Sequence, residues 1–368
     1  MDTGARDPAA DLREIAFRLE RANEASYRVR AFRSAAGAIA KVPAAELAQR
    51  ALDGTLGKLP GVGEVTARCI AESLAGEEPV YLRRLAATED ADLDAETEAL
   101  RQALRGDCHT HSDWSDGGSP IPEMALAAAR LGHEYLVVTD HSPRLTVARG
   151  LSPERLRRQL DEIATLRAML PDGFRILTGI EVDILADGSL DQEPELLAEL
   201  DVVVGSVHSR LADERDVMTA RMLAAVANPH LDVLGHCTGR KLAVADAETG
   251  GGSDRAHRRV ASRKPSDFDA NAVFAACAKY DKAVEINCRP DRLDPPKRLL
   301  RLAVEAGCRF AIDTDAHAPG QLDWLRYGCE RAVRCGVPVE RVVNAWPADL
   351  LLSWTGAHGA KTSGAAVT

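Results

Sequence analysis

The stretch Gly106-Asp107-Cys108-His109-Thr110-His111-Ser112-Asp113-Trp114-Ser115-Asp116-Gly117 sets two histidines at i and i+2 and a carboxylate five residues further on. Extended backbone sends residues i and i+2 to one face, so His109 and His111 can grip one cation from the end of one strand. Neutral imidazole is the commonest metal ligand. A lone His-x-His carries little weight, but the pattern recurs along the chain. Apolar, β-branched runs end in Asp140-His141, in Glu181 of Thr-Gly-Ile-Glu-Val-Asp, in His208 of Val-Gly-Ser-Val-His-Ser-Arg and in His236 of Val-Leu-Gly-His-Cys-Thr. Two more end in Glu285-Ile-Asn-Cys-Arg289 and in Asp313-Thr-Asp315-Ala-His317. Six of the ten histidines sit at such ends, which points to a multinuclear metal site. Imidazole and carboxylate without thiolate suit Zn²⁺, Mn²⁺ or Fe²⁺ better than Ca²⁺ or an iron–sulfur centre.

The elements that would position these residues follow a regular alternation. Strands are expected at 105–111, 135–140, 175–183, 201–208, 231–236, 282–288 and 309–315. Helices are expected near 120–131, 152–169, 192–199, 216–227, 268–280, 296–306 and 322–335. Seven strand–helix units predict an α/β fold with a parallel sheet and crossovers. With one chemistry at all the strand ends, a barrel is favoured over an open sheet. Within it, Asp140 and Asp313 are either orienting partners of the ligands or structural caps. Arg210, just past His208, and Arg240 or Lys241, just past His236, are candidates to hold phosphate oxygens. The alternative for each is a rim salt bridge.

The first hundred residues read differently. Helical periodicity over 11–23, 28–40 and 43–52 is followed by Leu59-Pro60-Gly61-Val62-Gly63-Glu64-Val65-Thr66-Ala67 and a helical Arg68–Leu74. Gly61 and Gly63 permit a tight hairpin and a close backbone approach at a helix N-terminus. The stretch resembles a helix-hairpin-helix motif, which grips a DNA backbone without reading its sequence. Lys58, Gly61, Val62, Gly63 and Arg68 are then the candidate DNA contacts. Residues 18–68 hold nine basic and five acidic side chains, locally positive in a chain of net charge −10. That total argues against coating nucleic acid by bulk charge, though not against a local patch. Thr88–Glu98 is an acidic run expected to be a solvated linker or helix between domains.

The barrel motifs, His-Thr-His with Ser-Asp-Gly, Thr-Asp-His-Ser, Gly-Ile-Glu-Val-Asp, Ser-Val-His-Ser-Arg, Gly-His and Asp-Ala-His, resemble the polymerase and histidinol phosphatase (PHP) family over about 105–355. They are most similar to the C-terminal PHP domain of bacterial family X DNA polymerases, whose N-terminal helix-hairpin-helix domain residues 11–86 also resemble. The resemblance implies a distorted seven-stranded (β/α) barrel with three divalent ions. One would take His109, His111, Glu181 and Asp315. A second would share Glu181 and take His208 and His236. The third would take Asp116, His141 and His317. It further implies a phosphoesterase using metal-activated hydroxide, with Glu181, Asp315 and Arg210 as catalytic residues. DNA is the expected substrate, by 3′–5′ exonuclease or 3′-end processing activity. The alternatives are a small-molecule phosphatase of histidinol-phosphatase type and a non-catalytic DNA-binding protein. Two departures matter. No polymerase palm or fingers separate the two regions, so no polymerase activity is expected. Cys69 stands where those N-terminal domains carry a lyase lysine, which removes Schiff-base chemistry.

These readings divide the chain into a disordered leader at 1–10, a helix-hairpin-helix domain at 11–87, an acidic linker at 88–104, the barrel at 105–357 and a disordered tail at 358–368. Residues 246–266, with Gly250-Gly251-Gly252 followed by Arg255, His257, Arg258, Arg259, Arg263 and Lys264, are expected to form a long flexible loop on the catalytic rim, either a clamp for a phosphate backbone or a disordered insertion. The eight cysteines include no Cys-x-x-Cys pair, so a zinc finger is excluded and free thiols are expected. No apolar run reaches the roughly 18 residues of a membrane span. A monomeric cytoplasmic protein is the expectation.

Overall fold

Tyr135-Leu136-Val137-Val138 shows how this sequence makes strands: a short apolar, β-branched run between a Gly-containing turn and an Asp-His pair. The computed structural model describes residues 6–87, 93–170, 173–244 and 259–358. It divides into residues 1–92 with 319–321, and residues 93–318 with 322–368.

In the second unit the strands are β1 (Gly106–Thr110), β2 (Tyr135–Val138), β3 (Arg175–Asp183), β4 (Val202–Ser206), β5 (Val233–Leu234), β6 (Lys241–Val244), β7 (Arg259–Arg263), β8 (Ala283–Asn287) and β9 (Arg309–Asp313). Seven of them pair in parallel in the order β1-β2-β3-β4-β5-β8-β9. Helices Ile121–Arg130, Pro153–Arg167, Arg215–Val226, Ala270–Lys279, Lys297–Glu305 and Leu325–Cys335 fall between or after them, close to the expected spans. The edges β1 and β9 nearly close the barrel. Thr110 bridges Ala316, and the His111 N–H donates to the Ala316 carbonyl at 2.8 Å. Asp313 accepts the Cys108 N–H at 2.8 Å, Asp107 accepts the Thr314 N–H, and buried Asn344 donates to the Gly106 and Ile312 carbonyls. Asp313 is thus a seam residue. Burial pushes the Asp107 and Asp313 carboxyls up from their ordinary values.

Alternate residues of the strands form one buried layer, with Cys108, Tyr135, Val137, Leu177, Val202, Val204, Val233, Ala283 and Ala311 packed on Ala348, Leu351 and Trp354 of helix Ala348–Gly356. Along β3, β4, β8 and β9 the same alternation carries on from this layer to Glu181, His208, Glu285 and Asp315. β1 needs a correction of phase. Its register against β2 slips between Asp107 and Thr110, one extra residue that lets Cys108 pack in the apolar layer while His109 and His111 face Glu181.

Several boundaries differ from expectation. The first helix is Pro8–Arg21, capped by Asp7, whose carboxylate accepts the Ala9 N–H at 2.8 Å. Proline at the first helical position and burial of Ala9 extend order into the expected leader; residues 1–5 lie outside the described residues. The expected linker contains helix Ala95–Ala103, capped by Asp94 and anchored by buried Leu100; residues 88–92 lie outside. The expected flexible loop ends in the antiparallel pair β6–β7, with 245–258 outside the described residues. His358 is not tail: its Nδ1 lies 2.7 Å from Asp232 Oδ1. Residues 359–368 lie outside.

The first unit packs Leu12, Ile15 and Leu19 against Val29, Phe32, Ala35 and Ile39 of helix Ser26–Ile39, with Leu47, Val62 and Ile70 completing one core. Gly61 has φ 84°, and a Cβ there would meet Ser34 Oγ at 2.7 Å. Gly63 opens helix Glu64–Leu74, and its N–H is taken by Thr66 Oγ1 at 2.9 Å. Cys69 is buried, and burial pushes its thiol up to about 11, so the position carries no nucleophile. All eight cysteines are buried free thiols. Among the described residues no helix is long and apolar enough to cross a membrane.

Candidate metal centre

Glu181 is the hub. It projects from β3, is fully buried, and neither carboxylate oxygen has a hydrogen-bond partner among the described residues. Histidines surround it instead. Oε2 lies 2.8 Å from His141 Nδ1, 3.4 Å from His109 Nε2 and 3.7 Å from His111 Nε2. Oε1 lies 2.8 Å from His236 Nε2 and 3.4 Å from His208 Nε2. The imidazoles crowd each other, with ring centroids 4.2 Å apart for His111 and His317 and 4.4 Å for His111 and His141. Burial alone would raise the Glu181 carboxyl, but His109, His208 and His141 hold it well below its ordinary value. Burial, followed by His317 and His141, keeps His111 well below the ordinary imidazole range.

Three overlapping sets of donors have ligand atoms within 4.8 Å of one another: His109, His111 and Glu181; His141, Glu181 and His208; and His111, Asp116, His141 and His317. Seven of the nine residues expected as ligands enter these sets. Asp315 and His236 stand beside them, Asp315 with Oδ1 3.4 Å from His111 Nε2. The grouping differs from expectation at two residues: His111 and His141 each belong to two sets. Unpartnered buried nitrogens on His109, His111, His208 and His236, with the two unpartnered Glu181 oxygens, fit divalent cations.

The surroundings fix these donors. Asp140 is a positioning residue: it accepts from the N–H and Oγ of both Ser112 and Ser115 and from Gln159 Nε2, pinning the turn that carries Asp116. Gly117 closes that turn, where a Cβ would come within 2.6 Å of the Ser112 carbonyl. Burial works to raise the Asp116 carboxyl, but His317, His111 and His141 hold it far below the ordinary range. Asp315 sits at φ 53°, a left-handed conformation unusual outside glycine and at home in functional sites.

Four neighbours complete the surroundings; the sequence set Glu285-Ile-Asn-Cys-Arg289 at a strand end without a role for each, and did not single out Arg292. Glu285 accepts the His236 backbone N–H, anchoring the strand end that carries His236, and touches His109 Nδ1, orienting that ring. Asn287 donates to Asp315 Oδ2 at 3.1 Å. Arg292 Nε lies 3.1 Å from Asp315 Oδ2, and Arg289 Nη1 lies 2.9 Å from His317 Nδ1. The signal for Glu285 and Asn287 was their i, i+2 spacing on one strand face. Of the expected phosphate ligands, Arg210 is exposed and paired with Asp213 at 3.1 Å. Arg240 donates to the Arg292 and Leu293 carbonyls, a backbone clamp. Lys241 opens β6.

A helix-hairpin-helix domain model matches residues 4–79, and a PHP domain model matches residues 107–289. The chain is 37% identical over 242 residues to the "DNA polymerase/3'-5' exonuclease PolX" of Bacillus subtilis, covering 66% of this chain but 39% of that protein. It is 26% identical over 249 residues to a "Probable phosphatase" of Thermoanaerobacter sp. (strain X514), covering 65% of this chain and 89% of the relative. A crystal structure of histidinol phosphate phosphatase from Lactococcus lactis, complexed with Zn, L-histidinol and phosphate, superposes with a TM-score of 0.42 at 21% identity, covering 63% of this chain and 92% of that one. The relatives matched include a 3'-5' exonuclease and probable phosphatases, and the donors gathered around Glu181 are of the types that hold divalent metal ions. The chain thus joins a helix-hairpin-helix domain at residues 4–79 to a PHP domain at residues 107–289.

Proposed function

We propose that the protein hydrolyses phosphodiester bonds at DNA ends, as a 3′–5′ exonuclease or 3′-end processing enzyme. The observation that carries the hydrolytic reading is the buried Glu181 with its unpartnered oxygens among five histidines. The DNA reading draws on the helix-hairpin-helix domain and on the relative named as a 3′–5′ exonuclease.

Three ions would be held by His109, His111, Glu181 and Asp315; by Glu181, His208 and His236; and by Asp116, His141 and His317. His111 and His141 are near enough to serve two of these positions. Divalent ions here, Zn²⁺, Mn²⁺ or Fe²⁺, supply Lewis acidity that makes water a nucleophile at neutral pH and offsets charge developing on the phosphate. The protein's own part is orientation. Glu285 and Asn287 fix His109, His236 and Asp315, and Arg289 and Arg292 offer cationic N–H groups to non-bridging phosphate oxygens at the edge of the site. Arg210 stands at the rim. No polymerase activity is expected, because the segment between the two domains is too short for a nucleotidyl-transfer domain.

The similarity to probable phosphatases along 89% of their length favours a second reading, a phosphatase for small phosphomonoesters that needs the barrel alone. Metal-loaded protein should cleave a phosphodiester, stop on chelation, and lose activity in Glu181→Gln. Cleavage surviving that substitution overturns the proposal.

A further inference from the structure

We infer that the β6–β7 hairpin and the β8–β9 connection form a second anion subsite beside the metal centre, which takes the phosphodiester next to the scissile one. The inference rests on the phosphoesterase reading and deepens it, turning a one-phosphate site into one suited to a nucleic-acid strand.

Lys241 and Arg263 are cross-strand partners in the hairpin. Directly opposite residues of an antiparallel pair share a face, and like charges so placed destabilise the pair. The fold nevertheless holds them there. Arg263 Nε donates to the Gly239 carbonyl just before β6 at 2.7 Å, and the Leu242 N–H donates to the Asp291 carbonyl at 2.6 Å, which ties the hairpin to the β8–β9 connection. That connection is itself rigid. Asp294 accepts from Thr238 Oγ1 and the Thr238 N–H, and Arg331 donates to the Pro295 carbonyl.

The third cation is Arg292. It is nine-tenths buried, its Nε lies 3.1 Å from Asp315 Oδ2, and its Nη1 has no hydrogen-bond partner among the described residues. Arg292 therefore joins the metal centre to the hairpin cations. Burial, then Arg292, pushes the Lys241 ammonium below its ordinary value, and the same two causes lower Arg263. The nearby carboxylates are engaged: Asp291 with Arg289 at 3.2 Å, and Asp294 with Thr238. Two cations paired across the hairpin, with a third one residue past the carbonyl that the hairpin bonds and their local acids engaged, make a site for an anion. Its continuity with Asp315 makes a neighbouring phosphate of the same strand the fitting occupant. A substrate with a single phosphate leaves it unfilled.

The test compares two chromogenic esters, a mononucleotide p-nitrophenyl ester with one phosphate and a dinucleotide p-nitrophenyl ester with two. The wild-type ratio of kcat/KM should favour the two-phosphate ester, and Lys241→Met or Arg263→Met should each lower that ratio about tenfold, the worth of one charged hydrogen bond. Equal loss on both esters, or an unchanged ratio, overturns the subsite. A second arm reads binding without turnover. Anisotropy of a fluorescent phosphorothioate trinucleotide, without added metal, should show Kd raised about tenfold in each variant and a salt slope shallower by about 0.7 per charge. Unchanged Kd and slope overturn the subsite. Wild-type protein that hydrolyses neither ester would defeat the phosphoesterase reading, while the binding arm would still decide the subsite.

Discussion

Asp116 differs from the other carboxylates of the centre. Glu181 and Asp315 are buried at its middle, whereas the Asp116 side chain is 37% exposed and faces His141 at 3.5 Å and His317 at 3.4 Å. It would serve an outer ion at the mouth of the site. Asp116→Ala is therefore expected to bind one ion fewer by elemental analysis and to lose turnover by about a hundredfold or more, with the inner ions retained. Full metal content in that variant contradicts the assignment. At this scale the sequence showed most of the centre, because His-x-His, Gly-Ile-Glu-Val-Asp and Asp-Ala-His are local patterns with a local chemical reason. It did not show Arg292 or the orienting role of Glu285, since both depend on which strand end lies beside which. Nor did it show that tertiary contacts would place Arg240, which follows His236, on the Arg292 and Leu293 carbonyls.

The turn 112–117 and the strand seam show how elements carry the site. The alternation of apolar runs and helical periods gave the seven parallel strands and their crossovers closely. The slip in β1 was not legible, because a bulge is set by pairing with β2 and β9 rather than by the residues of β1. Gly117→Ala tests the turn. A Cβ at 2.6 Å from backbone has no flexible neighbour to displace, so the substitution should cost about 2–3 kcal/mol in denaturant unfolding and lower outer-ion occupancy. Wild-type stability and metal content together would show that the turn is not rigid. A second element gives a pH effect. His133, in the turn before β2, lines a cavity of about 260 Å³ with Leu104, Leu131 and Leu325. Burial, then Arg101, pushes its imidazole down to about 4. The folded value lies below the unfolded one, so the unfolded chain takes the proton first. The neutral ring's contribution is full above about pH 6.5 and is lost as pH falls toward 4, amounting to about 2 kcal/mol after allowance for partial exposure. Urea midpoints should fall less between pH 7 and pH 4.5 in His133→Gln than in wild type; an equal fall would place the ring in solvent.

For the whole molecule, each unit has its own core, one built on Leu12, Ile15 and Ile70 and the other on the barrel layers. The two matched domains, helix-hairpin-helix at residues 4–79 and PHP at residues 107–289, fall one in each unit. The net charge of −10 argues only against coating nucleic acid by bulk charge, so the proposed DNA reading depends on a small motif and on local cations. The direct test is degradation of a 5′-labelled single-stranded DNA oligonucleotide by the Mn²⁺-loaded protein, read on a denaturing gel beside a panel of small phosphomonoesters. A ladder of products shortening from the 3′ end, abolished in Asp315→Ala, is the expected result. Robust turnover of phosphomonoesters with intact DNA at every metal concentration would contradict the account.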